Sequence, residues 1–213
     1  MSKRERKIGQ LAVFTLLASG VLLGLLTFKS APIYAHVVPS PCDFTTGGGY
    51  VLNDDGTHVN FGIVGGCKNG GFFGHVNIVN HQMSGFLAGL HVSSTSIDGY
   101  FTPFIGSNIR DICGTAKTNL APPFDTGVKF RVRTLDGGEP GSSPTRPPTG
   151  PDRFGVKLCK DGSCTTTNFN WLPVRFLAGG NIQLHKHNNS NTGPNPLPDE
   201  ITACGSDDSG LGS

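Results

Sequence analysis

The chain has 213 residues, with 17 Lys or Arg against 15 Asp or Glu and a charged fraction of only 15%. Five of the basic residues and one acid lie within the first 35 positions, so the rest of the chain carries 12 basic and 14 acidic residues and a net charge of about −2. This balance provides no basic stripe of the kind that a phosphate backbone requires, so nucleic acid is excluded as an expected partner.

Residues 1–35 have the layout of a secretory signal peptide. Basic residues at positions 3–7 precede an uncharged apolar run at 11–28, and small residues follow up to Ala35. Pro32 disfavours an earlier cut, so we expect cleavage between Ala35 and His36. The 18-residue run also permits an uncleaved anchor. Either way the chain after residue 35 is exported and secreted or held at the cell surface, and a membrane contact is expected only through an uncleaved N-terminal segment.

The exported part suits a single domain with a real core. We expect a linker at 36–46, a β domain at 47–187 and a polar tail at 188–213. The tail begins with NNSNTGPNPLP, which is polar and interrupted by proline, and it returns to a covalent tether at Cys204.

Apolar residues of the expected β domain recur at every second position, which indicates strands with one buried face. The run at 128–133 alternates apolar residues facing in with Lys129, Arg131 and Arg133 facing out. About eight to ten such strands predict an all-β fold, an antiparallel β-sandwich or an open barrel, preceded by the N-terminal hydrophobic signal helix. The clearest sets of inward-facing residues are Val59, Phe61 and Ile63; Val76 and Ile78; Val128, Phe130 and Val132; and Ile182 and Leu184. The clearest predicted turns are Asp54-Asp55-Gly56, Asn69-Gly70-Gly71, Asp98-Gly99 and Asp161-Gly162.

All six cysteines lie in the exported part, and an even number of cysteines outside the cytoplasm favours disulfides. In CKDGSC the Asp161-Gly162 turn places Cys159 opposite Cys164 at a position where their Cβ atoms approach closely. The other four cysteines permit three pairings. We prefer the pairing that ties the ends of the domain together, which is Cys42 with Cys204 and therefore Cys67 with Cys113.

Six blocks of the chain resemble a known bacterial family. They are GGGYV at 47–51, VNFGIVGGCKNGGFFGHVNIV at 59–79, ICGTA at 112–116, VKFRVRTLDGGEPG at 128–141, DRFGVKL at 152–158 and LAGGNIQLH at 177–185. Together they look like the post-choice-of-anchor domain of secreted and surface proteins. The resemblance covers roughly residues 47–187 and implies an exported β domain without assigned catalytic residues. The chain departs from that pattern by its proline-rich loop between Gly141 and Asp152 and by its six cysteines.

Three acids border the proline-rich loop: Asp136, Glu139 and Asp152. If the flanking strands are neighbours, these acids converge at one end of the sheet, where three carboxylates suit calcium. The simpler interpretation, which we prefer, is that Asp side chains bind local backbone amides in turns. Acid–base catalysis is the third alternative. The sequence therefore predicts no cofactor, with calcium as the alternative.

Cleavage after Ala35 exposes His36 as an N-terminal residue, whose amine and imidazole can bind copper. Secreted copper oxygenases that cut polysaccharides use this arrangement together with a second histidine. The candidates for that second ligand are His58, His75, His81 and His91. We prefer the simpler interpretation, in which the N-terminus is flexible and binds no copper.

Two further patterns offer surface sites. His185 and His187 lie two apart in a strand and share a face, although a solvated strand end is the more common outcome. Phe169, Trp171 and Phe176 belong to NFNWLPVRF, which lies between a hairpin and a proline, and exposed rings there can stack on sugars or bind protein.

The chain contains no nucleophile elbow, no HExxH motif and no Walker loop. We therefore expect a secreted or surface-displayed, non-catalytic β module with a structural, adhesive or ligand-binding role, whose partner is a glycan or a surface protein. The alternative is a secreted metal-dependent enzyme or metal-binding protein that uses His36 or the Asp136, Glu139 and Asp152 loop.

Overall fold

The computed structural model describes residues 36–138, 151–160, 169–205 and 211, and for residues 169 and 170 it gives the backbone alone. The predicted signal helix at 1–35 lies outside these residues. Among the residues described, no helix combines the length and the apolar character needed to cross a membrane.

Nine strands and one short helix make up the described structure. The strands are β1 (Phe44–Leu52), β2 (His58–Lys68), β3 (Gly71–Asn80), β4 (His91–Phe101), β5 (Ile109–Thr118), β6 (Val128–Leu135), β7 (Arg153–Cys159), β8 (Phe169–Phe176) and β9 (Gly179–His185), and the helix is α1 (Glu200–Cys204).

The strands form one antiparallel sheet in the order β8-β7-β6-β5-β4-β3-β2-β1-β9. Each strand from β1 to β8 pairs with the next along the chain, and β9 then pairs with β1. The prediction of an all-β antiparallel fold is confirmed. The described strands curl as a half-barrel of one sheet, and they do not form two stacked sheets.

The curl brings strands that are distant in the sheet into contact across the interior. Phe61 of β2 and Phe154 of β7 stack with ring centroids 4.0 Å apart, although four strands separate them in the sheet. Gly65 of β2 faces Ile112 of β5 so closely that an added Cβ would lie 2.7 Å from the Ile112 Cγ1 atom. The inward residues predicted from the alternation therefore fill a shared core.

The two edge strands of the sheet, β8 and β9, are joined by only two residues. Leu177 donates its backbone N–H to the Asp152 carbonyl at 2.9 Å, and Ala178 donates to the Tyr50 carbonyl at the same distance. The chain thus passes directly from one edge to the other, which holds the edges near each other.

The predicted turn at Asp98-Gly99 is wrong, because both residues lie inside β4. The pairing of β4 with β5 shifts register between Ile97 and Gly99, as in a β-bulge. An added Cβ at Gly99 would lie 2.4 Å from the Phe101 ring and 2.9 Å from the Ala203 Cβ, so the glycine serves close packing.

Two disulfides join Cys42 to Cys67 and Cys113 to Cys204, so the preferred pairing of Cys42 with Cys204 and of Cys67 with Cys113 is wrong. Cys67 shares the strand face of Phe61, whereas Cys113 lies on the opposite face of the sheet, and residues on opposite faces cannot be bridged. These bonds suggest an oxidising, extracytoplasmic environment.

Cys159 is also disulfide-bonded. Its predicted partner, Cys164, lies outside the described residues. The hairpin pairing therefore stays a prediction.

Candidate functional site

The outer face of β5 and β6 carries three buried charged side chains. Asp111 and Arg131 have no exposed surface, and Arg133 is 5% exposed. The register places Asp111 opposite Arg133 and Cys113 opposite Arg131. The alternation correctly predicts that the arginines point away from the core, but the expectation that they face solvent is wrong, because other segments cover them.

The cover comes from residues 36–42 and from helix α1. Residues 36–42 run along the sheet, where Val37 and Thr102 exchange backbone hydrogen bonds of 2.9 and 2.8 Å. Helix α1 contacts β4, β5 and β6 and is bonded to β5 through Cys113 and Cys204. The segments that the sequence suggested as linker and tail thus contribute buried residues, among them His36, Val38, Cys42, Asn191, Ala203 and Cys204.

Helix α1 is short, yet both of its ends are capped. The Asp199 carboxylate accepts a hydrogen bond of 2.9 Å from the Thr202 backbone N–H, and Gly205 adopts the left-handed conformation with its N–H bonded to the Ile201 carbonyl. The caps and the disulfide hold Glu200, the first residue of α1, toward the buried arginines.

Asp111 is the centre of the charge cluster. Arg133 donates to both of its oxygens at 2.8 Å, and Arg131 donates from Nη1 to Oδ2 at 2.9 Å. Burial raises the pKa of Asp111, but hydrogen bonds from Arg133 and His36, together with the arginine charges, lower it more. The net effect holds this pKa well below its usual range, so the carboxylate stays ionised inside the protein.

Glu200 binds His36 and Arg131 at once. Its Oε1 atom lies 2.7 Å from Arg131 Nη2 and 2.7 Å from His36 Nδ1, and its Oε2 accepts from the His36 backbone N–H at 3.0 Å. Burial raises the pKa of Glu200, but the hydrogen bond from His36 and the charge of Arg131 outweigh that effect and lower it.

His36 is protonated in this cluster. Burial lowers its pKa, but hydrogen bonds to Asp111 and Glu200 and the charges of both carboxylates raise it to about 9. The Nδ1–H therefore donates to Glu200, and the 3.1 Å approach of Arg131 Nη1 to the same nitrogen brings two donors together, which is not a hydrogen bond.

His36, Asp111 and Glu200 could also hold a metal ion, since one ligand atom from each lies within 4.8 Å of the others. An imidazole and two carboxylates suit zinc or copper. However, both carboxylates already bind guanidinium groups, and a divalent cation would meet Arg131 and Arg133 at short range. The donor set fits a metal by type, but its electrostatics fit an internal ion network.

The structure does not bring a second histidine to His36. Within the described ranges this trio is the one group that could ligate a metal, and the four candidate histidines are exposed elsewhere. His58 stacks on Tyr50, and His81 lies in the loop after β3. The ring of His75 is hydrogen-bonded to Ser94, and the ring of His91 is hydrogen-bonded to Asn77.

The acids at the proline-rich loop bind backbone amides. Asp152 accepts from the N–H groups of Gly137 at 2.8 Å and Ile182 at 2.5 Å. Asp136 accepts from Gly138 at 2.8 Å and from Leu184 at 2.7 Å. Glu139 lies outside the described residues.

This pattern agrees with turn chemistry and extends it. Ile182 and Leu184 belong to β9, whose one paired neighbour in the described sheet is β1. Two carboxylates therefore satisfy the open edge of β9, which protects that edge from pairing with another chain.

A second ion pair lines a surface cleft of about 280 Å³. Arg110 binds the two Asp43 oxygens from Nη2 at 2.5 Å and from Nε at 3.0 Å, and Tyr100 donates its hydroxyl to Asp43 at 2.8 Å. Burial, and then the Asp43 charge, raise the pKa of Tyr100 well above its usual value. Arg110 also donates to the Ser107 carbonyl at 2.6 Å, so the cleft wall is internally bonded, with His187 contributing to its lining.

The predicted surface residues are dispersed. His185 stacks on Phe44 and bonds the Thr46 hydroxyl at 2.8 Å, apart from His187 at the cleft. Trp171 is partly buried against the core, and its indole nitrogen is buried.

Phe176 is 54% exposed, with the Arg153 guanidinium 4.5 Å from its ring centroid. The side chain of Phe169 lies outside the described residues. The described positions therefore do not form an exposed aromatic row.

Comparison of the chain with protein-family models, with curated proteins and with solved structures gives no significant match in any of the three.

Most of the buried cluster has no signal in the sequence. The one signal is an acid, Asp111, in an apolar strand, together with the alternating Arg131 and Arg133 in the next strand. Glu200 lies too far along the chain for its position to suggest this contact.

Proposed function

We propose that this chain is a secreted or surface-displayed, non-catalytic β module of the post-choice-of-anchor type, built as an open, half-closed barrel that holds a ligand-binding loop. The partner is a glycan or a surface protein. A non-catalytic role is supported by the carboxylates, because each of them already binds donors within the protein. These carboxylates are Asp43, Asp111, Asp136, Asp152 and Glu200.

The observation that carries the proposal is the exposed, ordered loop between β3 and β4. Met83 is 89% exposed and Phe86 is 61% exposed, and the Phe86 ring meets Phe124 edge to face at 5.9 Å. Exposing large apolar side chains to water is unfavourable in free energy, so a group of them on the surface is a candidate contact surface. We call Met83, Phe86 and Phe124 the loop patch.

Hydrogen bonds hold the loop between β3 and β4 in place. Asn80 donates its side-chain N–H to the Leu87 carbonyl at 2.7 Å, and Asn119 donates its own to the Gly89 carbonyl at 2.9 Å. The Asn119 side-chain oxygen also accepts from the His91 backbone N–H at 2.8 Å. A loop ordered before binding loses little conformational freedom on binding, which favours affinity.

The test is a binding screen of the oxidised protein comprising residues 36–213 against a glycan array and against immobilised surface proteins. The variant Met83→Ala/Phe86→Ala should lose binding at least tenfold, while Leu197→Ala, which removes a 61% exposed side chain elsewhere, should bind normally. Equal binding by both variants would remove the loop patch from the proposal.

The second candidate is a metal-dependent enzyme or metal-binding protein centred on His36, favoured by the convergence of His36, Asp111 and Glu200. Copper and zinc titrations of the protein beginning at His36 test it by calorimetry. Stoichiometric binding that Glu200→Gln abolishes, followed by metal-dependent turnover of a polysaccharide, would replace the non-catalytic role.

A further inference from the structure

His36 places two nitrogen atoms on one carboxylate. Its backbone nitrogen lies 3.0 Å from Glu200 Oε2, and its Nδ1 lies 2.7 Å from Glu200 Oε1. The residue is only 8% exposed, and the Glu200 side chain is 14% exposed. The backbone nitrogen of His36 is therefore largely buried and held against a carboxylate oxygen.

This nitrogen is also the atom that the expected leader cleavage changes. Hydrolysis of the Ala35–His36 peptide breaks its C–N bond and adds the water oxygen to the Ala35 carbonyl carbon, which becomes a carboxylate. The His36 nitrogen becomes an amine and takes up protons to form an ammonium group, because α-amines have a pKa of about 7.7–8.0.

We propose that the Glu200 carboxylate binds the new N-terminal amine after the leader is cleaved. Removal of residues 1–35 converts the hydrogen bond from the His36 amide to Glu200 into a buried ammonium–carboxylate pair. Charge-assisted hydrogen bonds are about twice as strong as neutral ones, so processing strengthens an existing contact without requiring a new one.

The geometry of the cluster assigns this role to one oxygen of Glu200. Arg131 and the His36 imidazolium both bind Oε1, which leaves Oε2 for the His36 nitrogen. The other charged groups at the cluster are Asp111, 3.3 Å from His36 Nδ1, and Arg133, which binds Asp111. The ammonium therefore meets a carboxylate that α1 already holds in position.

The pair would connect the two ends of the exported chain. Val37 is bonded to Thr102 beside β4, and Cys204 at the end of α1 is bonded to Cys113 of β5. Processing thus fastens the N-terminal segment, which already covers Arg131 and Arg133, onto a helix that is covalently attached to the sheet. This pair forms whichever ligand the loop patch binds.

The experiment compares two proteins, one beginning at His36 and one retaining Ala35, so that the His36 nitrogen is an amine in the first and an amide in the second. At pH 6 and low salt we expect the first to melt about 4 °C higher. In the Glu200→Gln background this difference should disappear, and in the matched control Asp54→Asn, whose carboxylate is 92% exposed, it should persist.

A second measurement keeps the test decisive if Glu200→Gln fails to fold. Selective ¹⁵N labelling of histidine lets the His36 amine be titrated by NMR in the otherwise unchanged protein. We expect an amine pKa above the ordinary range, since the ammonium is paired. Each of three results would overturn the proposal. They are equal melting temperatures for the proteins beginning at Ala35 and at His36, an amine pKa in the ordinary range, and a copper-dependent rise in melting temperature that requires the free amine.

Discussion

Phe61 and Phe154 lie face to face across the interior of the curled sheet, with ring planes only 4° apart. Phe61 is 6% exposed and Phe154 is fully buried. Because β2 and β7 are not neighbours in the sheet, this stack is a contact that only the curl creates. It therefore reports on closure of the sheet more directly than any hydrogen bond between paired strands.

Replacing Phe154 with Ala should lower the free energy of unfolding by about 3–5 kcal/mol, the usual cost of deleting a buried aromatic ring. Phe104→Ala, which removes a 63% exposed ring, is the matched control and should change it by less than about 0.5 kcal/mol. Urea denaturation followed by tryptophan fluorescence measures both. A cost for Phe154→Ala no larger than the control would show that the two halves of the sheet do not pack together.

The two disulfides should differ in their contribution because they close loops of different length. Cys113 and Cys204 are 91 residues apart, whereas Cys42 and Cys67 are 25 apart. Chain-entropy estimates give about 4.5 kcal/mol for the longer loop and about 3.5 kcal/mol for the shorter one.

We expect Cys113→Ser/Cys204→Ser to be the less stable double variant in urea denaturation, since it also releases α1 from the sheet. Each double variant serves as the control for the other. The reverse order would indicate that α1 stays in place without its covalent bond.

Local pattern predicted the strands well, because each strand's two faces can be read from its own residues. Val128, Phe130 and Val132 are buried as the alternation indicates. The sequence could not show that Arg131 on the other face is also buried, since its cover comes from residues 36–42 and α1. The same limit explains the wrong cysteine pairing and the missed role of Glu200, which all depend on contacts between distant parts of the chain.

The local sequence pattern also gave a wrong prediction for Gly99. Asp98-Gly99 has the composition of a turn, but in β4 the glycine allows a bulge to pack against Phe101. Conversely, the preference for backbone bonding by Asp136 and Asp152 was correct in kind. Its target, the open edge of β9, could not be predicted without the strand order.

Calcium should not stabilise the protein, because all four side-chain oxygens of Asp136 and Asp152 accept backbone N–H groups. A calcium ion would have to displace those donors from its carboxylate ligands. We expect the melting temperature of residues 36–213 to be unchanged, within about 1 °C, between millimolar calcium and an equal concentration of EDTA. Magnesium at the same concentration is the control for ionic strength, and a rise specific to calcium would restore the predicted site.

The charge cluster should give the protein a stability maximum at mildly acidic pH. The pKa of His36 is raised from 6.5 to about 9, so the stability that its protonation contributes is fully present below pH 6.5 and is lost as the pH rises toward 9. The pKa values of Asp111 and Glu200 are lowered, so their contribution is present above the ordinary carboxyl range and is lost as the pH falls below that range toward the lowered pKa values. Stability should therefore be greatest between about pH 5 and 6.5.

The alkaline loss should amount to roughly 3 kcal/mol, the free energy that corresponds to the shift in the pKa of His36. Urea denaturation at pH values from 4 to 10 measures this loss in the protein that retains Ala35, in which the nitrogen of residue 36 is an amide and does not titrate. His36→Gln should flatten the decline between pH 6.5 and 9, because glutamine does not titrate, whereas the exposed control His58→Gln should leave it intact. If both variants retain the decline, another group must be responsible for it, and folding does not raise the pKa of His36.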